Sequence, residues 1–387
     1  MNIAFEAKRF FESGTGFGTY SRTLVGNLAA DFLENEYFLY APDAERNLSI
    51  ASLAHSAEIE RVKSQKAVQV IYPPRRGKIY WKLLGARRSL QENQIDLYHG
   101  LAQQIPRSIR LSKIPKILTI HDLIYREHPE FSPEDDLETL DRQLSAACAA
   151  SDRVIAVSES TKTDLVRFFS IPPEKIQVIY SCCDPRFHEK VSWERKVEVQ
   201  RRYQLPEKYL LYVGSMAARK NLLVIVKALN EIPVEKRLPL VIIGNETDYS
   251  RQIFDYADRT NLTDYLVVPS YVHTNDLPAI YQGAQVFIYM SFYEGFGLPI
   301  MEAIASGVPV VVSKTSAMPE AAGPGGALAD PRDPAEVASK ISEFMWDEAA
   351  REGAIKSGFA HVKKFGHLEV SRSLISMYEE VAKKSAI

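Results

Sequence analysis

Cysteine is scarce in this chain: three residues in 387, at positions 148, 182 and 183. Three cysteines build no disulfide framework. No grouping of histidine, cysteine and aspartate has metal-ligand spacing, so a zinc-type site is not expected. The adjacent Cys182 and Cys183 read as two small buried residues rather than a redox pair. Long apolar runs are missing too, and none approaches the roughly 20 residues that cross a bilayer. Excess charge is missing: 47 Lys and Arg stand against 49 Asp and Glu, which argues against bulk nucleic-acid binding. There is no internal repeat and no low-complexity tract. The chain opens directly on a strand-like run, Asn2-Ile3-Ala4-Phe5, with no signal peptide before it, so the cytoplasm is the expected compartment.

What is present is ordinary for a globular protein, with 46% hydrophobic and 25% charged residues. The length suggests two domains, or three at most. Short apolar runs at 2–6, 36–40, 68–72, 96–99, 116–120 and 153–157, and one within 176–187, alternate with helical patterns. That alternation predicts a doubly wound α/β sheet. One long helix is expected at 132–150. A polar stretch at 186–208 reads as a linker. The pattern then resumes at 209–213, 239–244, 266–269, 286–290 and 308–312, and a long amphipathic helix closes the chain at 368–384. The expected division is 1–187, 188–365 and a final helical segment, 366–387.

Residues 285–312 concentrate the chemistry. A buried strand leads into Glu294-Gly295-Phe296-Gly297, and Pro299 then suits the first turn of a helix that Gly307 ends. Glu294 lies at a strand's carboxyl end, where open α/β sheets bind ligands. Glu302 is expected in the first turn of the helix. Glycine lets backbone approach a ligand closely, and the free N–H groups from Leu298 onward can hold an anion. Two carboxylates beside an anion cradle suit a sugar joined to a phosphate. Alone, either acid reads as an ordinary residue near a helix start. A second strand-to-helix junction carries Ser215, Arg219 and Lys220. Cations are disfavoured at a helix N-terminus, so this pair calls for an anionic ligand.

In the first half, Gly14-Thr15-Gly16-Phe17-Gly18 follows the first strand. It matches neither the dinucleotide fingerprint nor a P-loop. His99 and His121 each end a strand, and a lone histidine there is usually a satisfied structural one. A basic, aromatic stretch from Arg75 to Arg88 around Trp81 has helical spacing at 79–90. It reads as an amphipathic helix with solvated charges, or as a surface for an anionic acceptor or a membrane face.

The string from Glu294 to Glu302 closely resembles the donor motif of the retaining glycosyltransferases of family 4, two Glu with seven residues between them around Gly-Phe-Gly-Leu-Pro. The match continues at Pro319-Glu320, Gly326-Ala327 and Asp330-Pro331. The resemblance implies a GT-B fold, two Rossmann-like domains facing each other across a cleft, with the final helix crossing back. It implies that Glu294 contacts the transferred sugar, Glu302 the ribose, and Lys220 the donor phosphates. It further implies that Gly16 and Gly18 approach the diphosphate, that Tyr271 and Val272 read the base through their backbone, and that His121 meets the sugar. Catalytic roles are thus expected for His121, Glu294 and Lys220, with Ser215, Arg219, Gly295, Phe296, Gly297 and Leu298 completing the donor site. This chain departs from the family at Ser215, where many members carry arginine, and at Ser181-Cys182-Cys183-Asp184.

The implied reaction is retaining, metal-independent transfer of a sugar from a nucleotide diphosphate sugar to a hydroxyl. GDP-mannose is the first-choice donor, and no cofactor is expected. The acceptor is a glycan or lipid-linked molecule, reached in the cytoplasm or at the inner face of a membrane. No Asp-x-Asp occurs, which sets the chain apart from single-sheet, metal-dependent glycosyltransferases. A nucleotide-sugar epimerase of the same fold and a non-catalytic sugar-nucleotide-binding module are the alternatives.

Overall fold

The strands are short apolar runs, most of them buried on both faces, as parallel sheets covered by helices require. The structure, a computed structural model, describes residues 1–13, 16–41, 56–73, 85–132 and 136–384. It divides into two units, Met1–Cys182 with His367–Ile387, and Cys183–Gly366.

The first unit holds seven parallel strands: β1 (Asn2–Glu6), β2 (Glu36–Tyr40), β3 (Val68–Ile71), β4 (Leu97–Gly100), β5 (Lys116–Ile120), β6 (Arg153–Ala156) and β7 (Ile176–Val178). Their order is β3-β2-β1-β4-β5-β6-β7, so the winding reverses between β1 and β4. Those two strands pair Ile3 with Leu97 and Phe5 with His99. One core cluster joins β1 to the Gly16–Asp31 helix through Leu24, Val25 and Leu28, and to the closing His367–Lys384 helix through Leu374, Tyr378 and Val381.

The second unit repeats the design with six strands: β8 (Leu210–Val213), β9 (Leu240–Ile243), β10 (Leu266–Val267), β11 (Val286–Tyr289), β12 (Val310–Ser313) and β13 (Ala327–Ala329). They run in the order β10-β9-β8-β11-β12-β13, with the reversal between β8 and β11. Both reversals create a crevice at the carboxyl ends of the strands.

Two local expectations are corrected, and a third falls largely outside the described residues. The helix expected at 132–150 begins only at Leu137, because the Asp136 carboxylate caps it by accepting the Thr139 N–H at 3.0 Å. The stretch 186–208 is not merely a linker: it holds a helix, Trp193–Arg202, in the second unit. Its charges are used inward, since Arg195, Arg202 and Tyr203 converge on Asp276, which is 1% exposed. Near Trp81, the helix runs from Ala86 to Glu92, and residues 74–84 lie outside the described residues, as do Gly14 and Thr15.

Candidate functional site

The loops leaving β8 and β11 bring Arg219, Lys220 and Glu294 together. After β8 come Gly214 and Ser215, whose carbonyl accepts the Tyr212 hydroxyl at 2.8 Å. A single 3-10 turn, Ala218–Lys220, then ends at Asn221, held in the left-handed region at φ 54°. Asparagine tolerates that conformation. The Asn221 amide donates to the carbonyls of Met290 (3.1 Å) and Pro331 (2.7 Å). This clamp fixes the residue before it.

Lys220 is 9% exposed. Its ammonium donates to Glu294 Oε1 at 2.5 Å and to the Tyr289 hydroxyl, and stands 4.9 Å above the Tyr289 ring. Arg219 donates to the same Glu294 oxygen at 3.2 Å, and the Tyr289 oxygen lies 3.2 Å from it. An ammonium has only protons to give, so the Tyr289 oxygen accepts from Lys220 and its own proton goes to Glu294. The Tyr289 ring is set between Tyr212 and Phe287, with centroids at 6.1 and 5.9 Å. Burial pushes the Glu294 carboxyl up, but Lys220 and then Arg219 outweigh it and hold the group below the usual carboxylate range. Glu294 is therefore ionised at neutral pH. Ser316 fixes its backbone, accepting the Glu294 N–H at 3.2 Å and donating to the Glu294 carbonyl at 2.5 Å.

Phe296, behind Gly295, packs on Phe365 at 5.3 Å between centroids. Gly297 has φ 108°, a conformation that side-chain-bearing residues rarely adopt, so glycine makes this turn without strain. The helix Leu298–Ala305 follows, with Pro299 in its first turn. Glu302 is not in the first turn as expected. It is the fifth helical residue, because the helix already begins at Leu298, directly after the left-handed Gly297. Its Oε2 accepts the Tyr281 hydroxyl at 2.8 Å. Burial raises the Glu302 carboxyl to about 7, with the Tyr281 hydrogen bond opposing and nearby Asp184 reinforcing. Tyr271 and Val272 lie on the loop after edge strand β10, and Tyr271 is 62% exposed.

In the first unit, His121 follows β5. Its Nε2 lies 2.8 Å from the Leu101 carbonyl, which can only accept, so Nε2 carries the proton and Nδ1 is the acceptor. Phe17 and Tyr20 meet its ring edge to face, at 4.7 and 4.6 Å. Burial lowers its pKa to about 4, so the ring is neutral at pH 7. A Cβ on Gly18 would meet the Ser13 carbonyl at 2.0 Å and buried Arg22 at 2.8 Å, whereas one on Gly16 meets nothing within 4 Å. His99 is fully buried, with ring nitrogens 2.7 Å from the Tyr378 and Thr119 hydroxyls. It ties β4 to the closing helix.

Among the described residues, no group of three or more His, Cys, Asp and Glu is placed to hold a metal ion. Sequence reasoning missed Tyr289, Asn221 and Ser316. The available signal was a hydroxyl at the last position of an otherwise apolar strand, directly before the motif.

The profile described as glycosyl transferases group 1 matches residues 195–361, and that of glycosyltransferase family 4 matches residues 14–187. The O-antigen chain mannosyltransferase B of Escherichia coli is 29% identical over 98% of this chain and 100% of that protein. The D-inositol 3-phosphate glycosyltransferase of Corynebacterium efficiens is 26% identical over 76% of this chain and 72% of its own length. Among solved structures, the sucrose-phosphate synthase of Thermosynechococcus elongatus superposes with a TM-score of 0.77 at 21% identity, covering 98% of both chains. Anabaena HepE in complex with UDP gives 0.76 at 17% identity, covering 98% of this chain and 100% of that one. At these identities the structural likeness speaks for the fold alone.

Proposed function

Because this chain belongs to glycosyltransferase family 4, we propose that it transfers mannose from GDP-mannose to a hydroxyl of a glycan or lipid-linked acceptor, with retention and without a metal ion. The observation that carries this reading is the Lys220, Arg219 and Glu294 cluster at the β8–β11 switch point. Two cations hold Glu294, four residues before the helix start at Leu298, whose free N–H groups suit a diphosphate. As the bond from sugar to phosphate breaks, negative charge builds on the diphosphate. Preorganised cations meet that charge without reorganisation. Ionised Glu294 is suited to accept hydrogen bonds from sugar hydroxyls, and Glu302 from the ribose. His121, neutral, is assigned to a sugar hydroxyl. With no nucleophilic carboxylate assigned, attack on the same face as the departing phosphate is the favoured course.

Mannose is favoured because the relative named O-antigen chain mannosyltransferase B aligns over nearly the whole chain. Among the described residues no helix is long and apolar enough to cross a membrane. Action in the cytoplasm, at the inner membrane face, is part of the proposal. The test is a thermal-shift panel of nucleotide diphosphate sugars, followed by an assay of nucleoside diphosphate release. A donor at a hundred times its Kd should add about 2.7 kcal/mol of stability. Stabilisation by a UDP-sugar but not by GDP-mannose would overturn the donor, and stabilisation by none would overturn the reading.

A further inference from the structure

The first unit contains a cavity of about 760 Å³ at the carboxyl ends of β1, β2 and β4, the switch point of its own sheet. None of Lys220, Glu294, Glu302 or His121 lines it. Its inner wall is apolar core, including Ile105, Ile109 and Leu144, all at most 5% exposed. Its charged lining is lopsided: Lys8, Arg9, Arg107 and Arg110 against the single carboxyl of Glu6. Burial moves that carboxyl to about 7, so at neutral pH it offsets less than one full charge.

Two polar atoms of this lining have no hydrogen-bond partner: Ser108 Oγ and Arg110 Nε. Ser108 and Tyr125 are 4% and 8% exposed. The Tyr125 hydroxyl faces Asp141, which Arg126 also engages. A folded protein rarely buries a hydroxyl and a guanidinium nitrogen without partners, and each instance wants a physical reason. A ligand that brings acceptor oxygens supplies one here. Arg107 and Arg110, three apart on one short helix, face the same side. A guanidinium fork matches a phosphate better than it matches a neutral hydroxyl.

We infer that this cavity takes the acceptor by an anionic group, a phosphate or diphosphate joined to an apolar chain, with Arg110, Ser108 and Arg107 on the anion and Ile105, Ile109 and Leu144 against the chain. The inference deepens the proposed function by naming the acceptor's chemical class, and it rests on that reading only for the word acceptor.

The test is calorimetric titration of the full chain with three probes: decyl phosphate, decyl mannoside and inorganic phosphate. Decyl phosphate should bind at least tenfold more tightly than either of the others, because it alone carries both parts. Arg110→Gln should weaken it at least tenfold while nucleotide-sugar affinity stays within twofold, and the more exposed Arg107→Gln should weaken it less. Circular dichroism checks that both variants fold, and Ser108→Ala gives a third, smaller perturbation. Equal affinity for decyl mannoside, or no effect of any of the three substitutions, overturns the anion site. Equal affinity for inorganic phosphate overturns the apolar part. Failure of nucleotide sugars to bind would overturn the donor reading while leaving this result standing.

Discussion

Replacing Tyr289 with phenylalanine removes one oxygen and keeps a ring. In the structure that oxygen accepts from the Lys220 ammonium and faces Glu294 Oε1 at 3.2 Å. The stack with Tyr212 and Phe287 survives the change, so the fold should hardly notice it. Lys220 loses the partner that orients it when Glu294 turns to the sugar. A hydrogen bond to a charged group contributes about 1.5–3 kcal/mol. If that orientation counts mainly in the transition state, kcat falls roughly 10- to 100-fold at about 1.4 kcal/mol per decade. Donor Kd should change little. Lys220→Ala, which removes the cation itself, should cost roughly 10²–10³ in kcat. The assay is single-turnover kcat with donor Kd measured separately, for both variants and their combination. If the hydroxyl acts through Lys220, the double variant is no worse than Lys220→Ala. A Tyr289→Phe enzyme with full kcat, or losses that simply multiply in the double variant, would refute the reasoning.

Three further outcomes are expected. In the proposed function Glu302 holds the ribose as a carboxylate, and burial raises its pKa to about 7, so nucleotide-sugar affinity should rise with pH up to about 7 and level off above; Glu302→Gln should bind more weakly with a flat profile, and a flat wild-type profile would move the ribose elsewhere. Turnover should survive EDTA, and activity abolished by chelation and restored by Mg²⁺ or Mn²⁺ would show that Lys220 and Arg219 do not suffice. His99 is held neutral, its pKa lowered from 6.5 to about 3 by burial, so the unfolded chain binds the extra proton first and stability of the first unit is lost as pH falls below 6.5; His99→Ala should cost about 1–3 kcal/mol by taking the partner of the buried Tyr378 hydroxyl, while Thr119 keeps Tyr20, and an unchanged denaturant midpoint would contradict that.

Much of the candidate site was legible because its residues make conformational demands that only a few amino acids meet. Gly297 at φ 108°, Pro299 in the first helical turn and Gly307 at φ 76° punctuate the motif in a way a single sequence displays. Lys220 was legible through a conflict, a cation where a helix start disfavours one. Tyr289 was not, because its meaning comes from a partner 69 residues away. Inside an apolar run a tyrosine reads as one more large side chain. The cavity at β1 and β4 was equally hidden, since Glu6, Ser108 and Tyr125 converge only once the strand order is known. His99 and His121 looked alike in sequence, each closing a strand. The closing helix separates them, for Tyr378 takes one nitrogen of His99 and none of His121.

The strand order also explains why the site's charges come from two distant stretches. A buried carboxylate such as Glu294 is tolerable only with a partner in place. That partner must persist when no donor is bound, or the second unit would carry an uncompensated charge in its crevice. Lys220 and Arg219 supply it, from the loop after β8, because β8 and β11 are neighbours at the reversal of the sheet. In the proposed function the same cations face the charge of an incoming diphosphate, which frees Glu294 to accept from the sugar. Stability of the empty site and assembly of the loaded one thus draw on the same two side chains. That makes Lys220→Ala a substitution with two faces: it weakens catalysis, and it should raise the pKa of Glu294, since the cations are what hold that carboxyl down against its burial. Removing the acid as well, in a Lys220→Met, Glu294→Gln pair, should restore folding stability without restoring turnover, a separation that denaturant titration and nucleoside diphosphate release can read side by side.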